Sequence, residues 1–294
     1  MSPELSILLT AGLVATACGL LGPFLVLRRV SLLGDAVSHA VLPGIVASFL
    51  LFHSRAPLLV ILGAAVFAVV CVVAIDALKS SGLVASDAAI ALVFPALFGL
   101  GVLGVHRYAA NIHLDLDSTI YGEIAFAPFR TLEIAGFEIG RSIVIMGIIS
   151  LANLALVGLL WKELKATSFD PLFSRVSGFS PRLVSRIVLV AVAITAVTAF
   201  ESVGAILVIA LLIVPASAAH LLTDRLLTMV GLSVVIGWAS AGLGYWSAIQ
   251  LDASIAGAMG VAATGIFAIS LVLSPRYGLL AQRLRRRVAV PEIP

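Results

Sequence analysis

Apolar residues occur in long blocks along this 294-residue chain, without the alternation that is typical of a half-buried strand. A helix needs about 20 apolar residues to cross the roughly 30 Å hydrocarbon core of a bilayer, and blocks of about that length recur. The pattern therefore predicts an all-α, polytopic membrane bundle.

Nine membrane spans account for these blocks. The stretch 183–219 is too long for one span, and Glu201, Ser202 and Gly204 interrupt it, so we divide it there into two spans. The other seven predicted spans are 5–27, 36–52, 57–75, 88–105, 142–161, 226–248 and 253–273. Without the division the total would be eight.

The basic residues favour nine spans with the N-terminus outside and the C-terminus in the cytoplasm, because cytoplasmic segments carry an excess of Lys and Arg. This topology puts 14 of the 18 basic residues inside, and only Arg55, Arg107, Arg130 and Arg141 outside. Eight spans would leave 8 inside and 10 outside. The chain thus predicts one transmembrane domain over 1–294, with a cytoplasmic segment at 162–182 and a basic cytoplasmic tail at 275–294.

Composition and missing motifs narrow the function further. Only 11% of residues are charged and 61% are hydrophobic, against about 25% charged in a soluble domain. The net charge of +3 comes from membrane-flanking basic residues, so nucleic acid is not needed as a partner. The chain has no Gly-Lys pair and hence no P-loop, and it lacks the common hydrolase motifs, so we expect no enzyme activity and no ATPase activity of its own.

Asp35 and His39 form the strongest candidate site. They are four residues apart, which on a helix places a carboxylate and an imidazole on one face beside Ser38, as half of a site for a divalent transition metal. An ionisable residue within a membrane span is by default a functional candidate. The alternative is that Asp35 caps the second span at the interface and His39 bonds to nearby backbone.

Further candidate ligands are weaker. The outside segment 106–141 holds an imidazole and three carboxylates that could bind a metal transiently: His113, Asp115, Asp117 and Glu123. The alternative for them is a solvated loop with ordinary surface acids. Glu201 is predicted to be a turn residue or an acid on the transport pathway.

The inside segment predicts a short amphipathic helix after a chain break. Asp170 is the expected N-cap before Pro171, and Gly178 the expected stop. Leu172, Phe173 and Val176 would form an apolar face that no span covers. Such a face fits a groove on a cytoplasmic partner, or alternatively lies flat on the membrane.

The segment Gly34-Asp35-Ala36-Val37-Ser38-His39-Ala40-Val41-Leu42-Pro43-Gly44, preceded by Arg28-Arg29, resembles the signature of the manganese/zinc/iron permeases of bacterial ABC importers. Similar fragments follow in the family's order over almost the whole chain. They are residues 86–90, Phe94, 113–117, 121–123, 162–165, 169–171, 203–208, 213–216 and 274–280.

The resemblance implies a permease subunit of the bacterial inner membrane that pairs with a second permease protomer, identical or different. It also implies cytoplasmic ATPase subunits that hydrolyse ATP, and an extracytoplasmic metal-binding protein that delivers the ion. The divalent metal is then a transported substrate, with no permanently bound cofactor. The family's metal ligands carry over onto Asp35 and His39. Its ATPase-coupling region carries over onto 163–178, including Glu163, Leu164, Phe169, Asp170, Leu172 and Phe173.

Two other functions remain open from the sequence. An ion-coupled secondary metal transporter or channel would use Asp35 and His39 without an ATPase, but no second copy of the segment 35–44 supports an internal repeat. An intramembrane metalloenzyme would need a third ligand and a general base, for which Glu201 and Asp252 are distant in sequence.

Overall fold

The computed structural model describes residues 2–30, 32–52, 57–108, 124–134, 137–274 and 278. Within these residues, the helices are α1 Pro3–Leu27, α2 Leu33–Phe52, α3 Pro57–Ser80, α4 Ser86–Tyr108, α5 Arg141–Leu159, α6 Trp161–Phe169, α7 Pro171–Val176, α8 Pro181–Val203, α9 Ala205–Leu222, α10 Leu226–Leu251 and α11 Ile255–Leu273. In this described part, nine of them, all but α6 and α7, are long and apolar enough to cross a membrane. The predicted helical bundle with nine spans is confirmed.

The division of the long apolar stretch into two spans is also confirmed. Gly204 separates α8 from α9 with a φ of +86°, a backbone conformation that costs glycine little and other residues much. The N–H of Gly204 still donates to the carbonyl of Phe200 at 3.0 Å, so α8 ends in an ordered turn. The chain can therefore reverse direction inside an otherwise unbroken apolar run.

Local capping fixes several helix starts where hydropathy alone gave only approximate bounds. The hydroxyls of Ser2, Ser180 and Ser254 each accept a hydrogen bond of 3.4 Å from a first-turn N–H of α1, α8 and α11. Helix α2 begins at Leu33, three residues before the predicted start, which brings Asp35 into the helix.

Helix α1 is the central element of the bundle. It packs against α5, α8, α9 and α10, while α2 packs against α3 and α4 on one side and α11 packs against α9 and α10 on the other. Small residues allow the close approaches. A Cβ on Gly44 would collide with the backbone carbonyl of Gly63, so α2 and α3 are in backbone contact there.

The two ends of the bundle differ in character. We call the end where α1 stops the Arg28 end, and the opposite end, where α5 starts, the Arg141 end. The Arg28 end carries α6 and α7. The Arg141 end carries a 3₁₀ turn, Ile124–Phe129, and a hairpin of two antiparallel strands, β1 Thr131–Ile134 and β2 Phe137–Gly140, in which Thr131 pairs with Gly140 and Glu133 with Glu138. The sequence predicted only an outside connecting segment over 106–141 and did not predict this small sheet.

Candidate metal site and coupling segment

Asp35 and His39 lie on one face of α2, close to the Arg28 end. Asp35 is in the first turn of the helix and His39 is one turn further along it. Their Oδ1 and Nε2 atoms are 3.8 Å apart, and about half of each side chain is exposed. The predicted pairing on one helix face is thus present.

The opposite face of α2 explains why the two side chains point outward. Ala36, Val37 and Ala40 are completely buried in the bundle. The imidazole of His39 packs against α4, with ring centroids 5.7 Å from Phe94 in a stacked arrangement and 5.6 Å from Phe98 edge-on. The two phenylalanine rings restrict the rotation of the imidazole and leave its Nε2 beside Asp35.

Among the described residues, this geometry supplies two ligands. Ligand atoms that share one zinc or similar ion at about 2.1 Å lie about 3 to 3.5 Å apart, so a small side-chain rotation would let both atoms bind the same ion. Among the described residues, no group of three or more His, Cys, Asp and Glu side chains is arranged to hold a metal. A complete coordination shell at Asp35 and His39 therefore needs ligands from outside this described part of the chain.

Glu201 lies at the other end of the bundle from this pair. Its Oε1 is 3.2 Å from the Nη2 of Arg141, and both side chains are mostly buried. This ion pair joins the last turn of α8 to the first turn of α5. His113, Asp115, Asp117 and Glu123 lie outside the described residues.

The predicted coupling segment forms two short helices. The carboxylate of Asp170 accepts hydrogen bonds from the N–H groups of Leu172 (3.1 Å) and Phe173 (2.9 Å), so it caps α7 as predicted. Gly178 follows the helix with a φ of +84°. The sequence missed α6: Trp161 was expected to end a span, and instead it begins this separate nine-residue helix.

The side chains of this segment divide into an inner and an outer set. Leu164 is fully buried under α6, while Phe169 is 56% exposed. Leu172, Phe173 and Val176 are 74%, 61% and 89% exposed, so no described span covers the apolar face of α7. One carboxylate oxygen of Glu163 is buried with no hydrogen-bond partner among the described residues.

Two contacts that sequence reasoning missed connect the helices at the Arg28 end. Arg28 donates from Nη2 to the hydroxyl of Thr167 on α6 at 3.0 Å. Arg186 of α8 donates from Nε to Asp76 of α3 at 2.5 Å. The available signal was Asp76 itself, an acid near the end of an apolar block, but nothing in the sequence identified its partner.

Comparison with known proteins identifies the family. The profile of the ABC 3 transport family matches residues 5–274. The chain belongs to this family. It is accordingly a multi-pass protein of the bacterial cell membrane and a permease of the ABC transporter class.

Individual transport proteins resemble the chain over nearly its full length. It is 43% identical over 287 residues to the manganese transport system membrane protein MntD of Bacillus subtilis, covering 97% of both chains. It is 43% identical over 283 residues to the zinc transport system membrane protein TroD of Treponema pallidum, covering 96% of this chain and 77% of that one.

A solved structure shows the same architecture. The structure of PsaBC from Streptococcus pneumoniae in complex with Fab contains a chain that superposes with a TM-score of 0.76 at 29% identity. The match covers 95% of this chain and 94% of the other. The bundle described above therefore has the same fold as that chain.

Proposed function

We propose that this chain is the membrane-spanning subunit of an ATP-driven importer that moves a divalent transition metal, manganese, zinc or iron, into the cytoplasm. The observation that carries the proposal is the Asp35 and His39 pair, held 3.8 Å apart on a helix of a transport permease. Relatives at 43% identity are named for manganese and for zinc transport, which supports the metal class without choosing one ion.

The chemistry of the pair suits a transient site. A deprotonated Asp35 and a neutral His39 replace part of the hydration shell of the ion and must later release it. A carboxylate and imidazole site left to itself binds zinc more tightly than manganese, following the general order of metal affinities. We therefore assign metal selection to an extracytoplasmic metal-binding protein that delivers the ion, and passage of the ion to this chain.

A second permease protomer would complete the site. Half-exposed ionisable side chains on the outer face of a membrane bundle are costly against lipid, and such groups normally face another helix or water. A second copy, or a related permease, that brings its own Asp and His against α2 would cover the pair and supply further ligands. With such a partner, the two ligands found among the described residues of one chain would be enough.

Cytoplasmic ATPase subunits would drive the transport cycle through α6 and α7. The uncovered apolar face of α7 provides a ridge for a groove on each ATPase. Movement of α6 would reach α2 through Thr167 and Arg28, since Arg28 lies in the turn before α2. Closing of the ATPases on ATP would then rock the spans between outward and inward access.

The test compares uptake of radioactive manganese and zinc by a deletion strain of the source bacterium that is complemented with variants of this chain. Asp35→Asn and His39→Gln should each lower uptake by about tenfold or more, because each removes one ligand. Uptake by the wild-type chain should stop when ATP is depleted while the proton gradient is maintained.

Asp252→Asn is the matched control. Asp252 is exposed at the turn after α10 with a φ of +49°, a conformation that Asn tolerates, so uptake should stay within about twofold of wild type. Near-normal uptake by both site variants would overturn the metal site. ATP-independent uptake would instead support an ion-coupled carrier.

A further inference from the structure

A cavity at the Arg28 end takes no part in the proposed metal binding, although two residues of its lining, Arg28 and Thr167, also belong to the proposed route from α6 to α2. It lies between the turn after α1, the end of α3, the start of α4, helix α6 and the start of α8, and its volume is about 460 Å³. This volume falls within the range of small-molecule sites, roughly 300 to 1,000 Å³. We call it the Arg28 cavity. Its polar lining includes Arg28, Lys79, Ser86, Thr167, Ser168 and Arg182.

Three polar atoms in this lining are buried without a partner. They are Nε of Arg28 and the hydroxyl oxygens of Ser86 and Ser168, none of which has a hydrogen-bond partner among the described residues. Leaving buried polar groups unpaired costs free energy, so native proteins satisfy nearly all of them. All three atoms belong to side chains that line the cavity, and each could donate a hydrogen bond to an acceptor-rich occupant.

The charge of the lining indicates the sign of that occupant. The cavity has three basic side chains, Arg28, Lys79 and Arg182, and one carboxylate, Asp76. Asp76 is already paired with Arg186 at 2.5 Å, so its charge is compensated. Burial lowers the pKa of Arg28 to about 10, which still leaves the guanidinium charged at neutral pH.

The remaining lining is apolar, with Leu27, Val30, Ile75 and Leu189 among its members. Basic pockets between membrane helices near the cytoplasmic interface bind anionic lipid headgroups, and the positive-inside rule assigns the Arg28 end to that side. An ion in solution would need no apolar lining, whereas the glycerol and first methylenes of a lipid would bury against it.

We propose that the Arg28 cavity binds a phosphate group, supplied by an anionic phospholipid of the cytoplasmic leaflet. The guanidinium of Arg28 donates to the phosphate oxygens, and rotation of the Ser86 and Ser168 side chains would bring their hydroxyls to the same oxygens. Lys79 and Arg182 lie at the exposed rim of the cavity and contribute charge. A lipid bound there links the turn before α2 to α6.

The test measures lipid binding by the purified full chain, independently of transport. Delipidated protein is titrated with phosphatidylglycerol, and separately with phosphatidylcholine, and binding is followed by native mass spectrometry and by the midpoint of thermal unfolding. Phosphatidylglycerol should bind and raise the midpoint, and phosphatidylcholine should do neither. Arg28→Gln should weaken phosphatidylglycerol binding by about fivefold or more, because one basic contact is lost.

Arg29→Gln is the matched control, since Arg29 is the neighbouring residue, is exposed and does not line the cavity. It should change phosphatidylglycerol binding by less than about twofold if the cavity, rather than general surface charge, attracts the lipid. If Arg28→Gln does not fold, the double variant Lys79→Gln/Arg182→Gln replaces it, because both side chains are exposed and their loss leaves the core intact.

A separate arm titrates inorganic phosphate alone. Stabilisation by millimolar phosphate that Arg28→Gln abolishes, without an effect of phosphatidylglycerol, would support the phosphate site but overturn its lipid source. Equal phosphatidylglycerol binding by wild type and by the cavity variants would overturn the site itself. Metal uptake by the variants is not used as a measurement in this test. A failure of the phosphate site can therefore be distinguished from a failure of the proposed transport function.

Discussion

At the scale of single residues, the polar contacts at the Arg28 end join residues that are far apart in sequence. Arg28 and Thr167 are separated by 139 positions, and Asp76 and Arg186 by 110. Charged side chains near a membrane are stable when paired or hydrated. Hydropathy shows where such charges interrupt apolar blocks but carries no information about which of them meet.

Glu201 provides a prediction at this scale. If its role is to pair with Arg141 at 3.2 Å, then Glu201→Arg or Arg141→Glu places two like charges together at the Arg141 end. Each single change should lower the stability of the detergent-solubilised chain by about 3 to 5 kcal/mol, measured by thermal unfolding, because it leaves a mostly buried charge uncompensated. The exchanged double variant should regain most of that stability and also most of the metal uptake.

Metal uptake is the measurement that distinguishes a structural role of Glu201, as the partner of Arg141, from a role on the transport pathway. An exchanged variant that recovers stability but not uptake would contradict a purely structural pair, and would support Glu201 as an acid on the transport pathway. Failure to recover stability would show that the two charges do not act as a pair.

The sequence could predict some single-residue roles and not others. Asp170 before Pro171 predicted an N-cap, and its carboxylate does accept from two N–H groups of α7, because capping depends only on neighbouring residues. The pairing of Asp35 with His39 was predictable for the same reason, since helical spacing fixes it. The ion pair of Glu201 with Arg141 was not predictable, because Arg141 lies on another helix.

At the scale of elements, the nine spans were predictable because about 20 apolar residues leave a chain few alternatives in a membrane. The break between α8 and α9 was predictable because Gly204 and its polar neighbours interrupt the apolar run. Helix α6 was missed, because nine residues with Lys162, Glu163 and Lys165 among them have no marked hydropathy. The small hairpin at the Arg141 end was missed because each strand has only four residues.

Helix α7 carries the prediction at this scale. Leu172→Ser and Phe173→Ser should reduce co-purification of the ATPase subunit with the chain, because each removes part of the uncovered apolar face. The chain itself should unfold at an unchanged temperature, since both side chains are largely exposed. The measurement is quantitative mass spectrometry of complexes isolated from native membranes, together with thermal unfolding.

Two further variants serve as controls for α7. Leu227→Ser removes an exposed leucine at the start of α10, also at the Arg28 end, and should leave the ATPase bound. Leu164→Ala opens a cavity under α6 and should cost about 2 to 5 kcal/mol of stability. If the same amount of ATPase subunit co-purifies with both α7 variants as with the wild-type chain, the apolar face of α7 lies on the membrane instead.

At the scale of the whole molecule, the structure groups the charged residues by end, and the orientation of the two ends in the membrane is a prediction from the sequence. Arg28, Lys79 and Arg186 belong to the Arg28 end, together with α6 and α7, whereas Arg141 and the hairpin belong to the other. Basic residues are retained on the cytoplasmic side during membrane insertion. This rule predicts that the Arg28 end faces the cytoplasm. The proposed coupling to ATPase subunits and the proposed phospholipid site both require that orientation.

Cysteine labelling decides the orientation. The native Cys18 and Cys71 are fully buried and can be replaced by alanine, which leaves a background without reactive thiols. Single cysteines are then placed at Phe129 beside the hairpin, at Leu83 between α3 and α4, and at Val176 on α7, which are 79%, 85% and 89% exposed. A membrane-impermeant maleimide is added to right-side-out spheroplasts, before and after permeabilisation.

The variant Phe129→Cys should react in intact spheroplasts, and Leu83→Cys and Val176→Cys only after permeabilisation. The reverse pattern would place the N-terminus inside, and would move the uncovered face of α7 away from any cytoplasmic ATPase. Labelling of Phe129→Cys and Leu83→Cys from the same side would contradict the passage of α4 through the membrane. Because α4 is the one long apolar helix among the described residues between these two positions, only opposite accessibility agrees with the nine-span bundle.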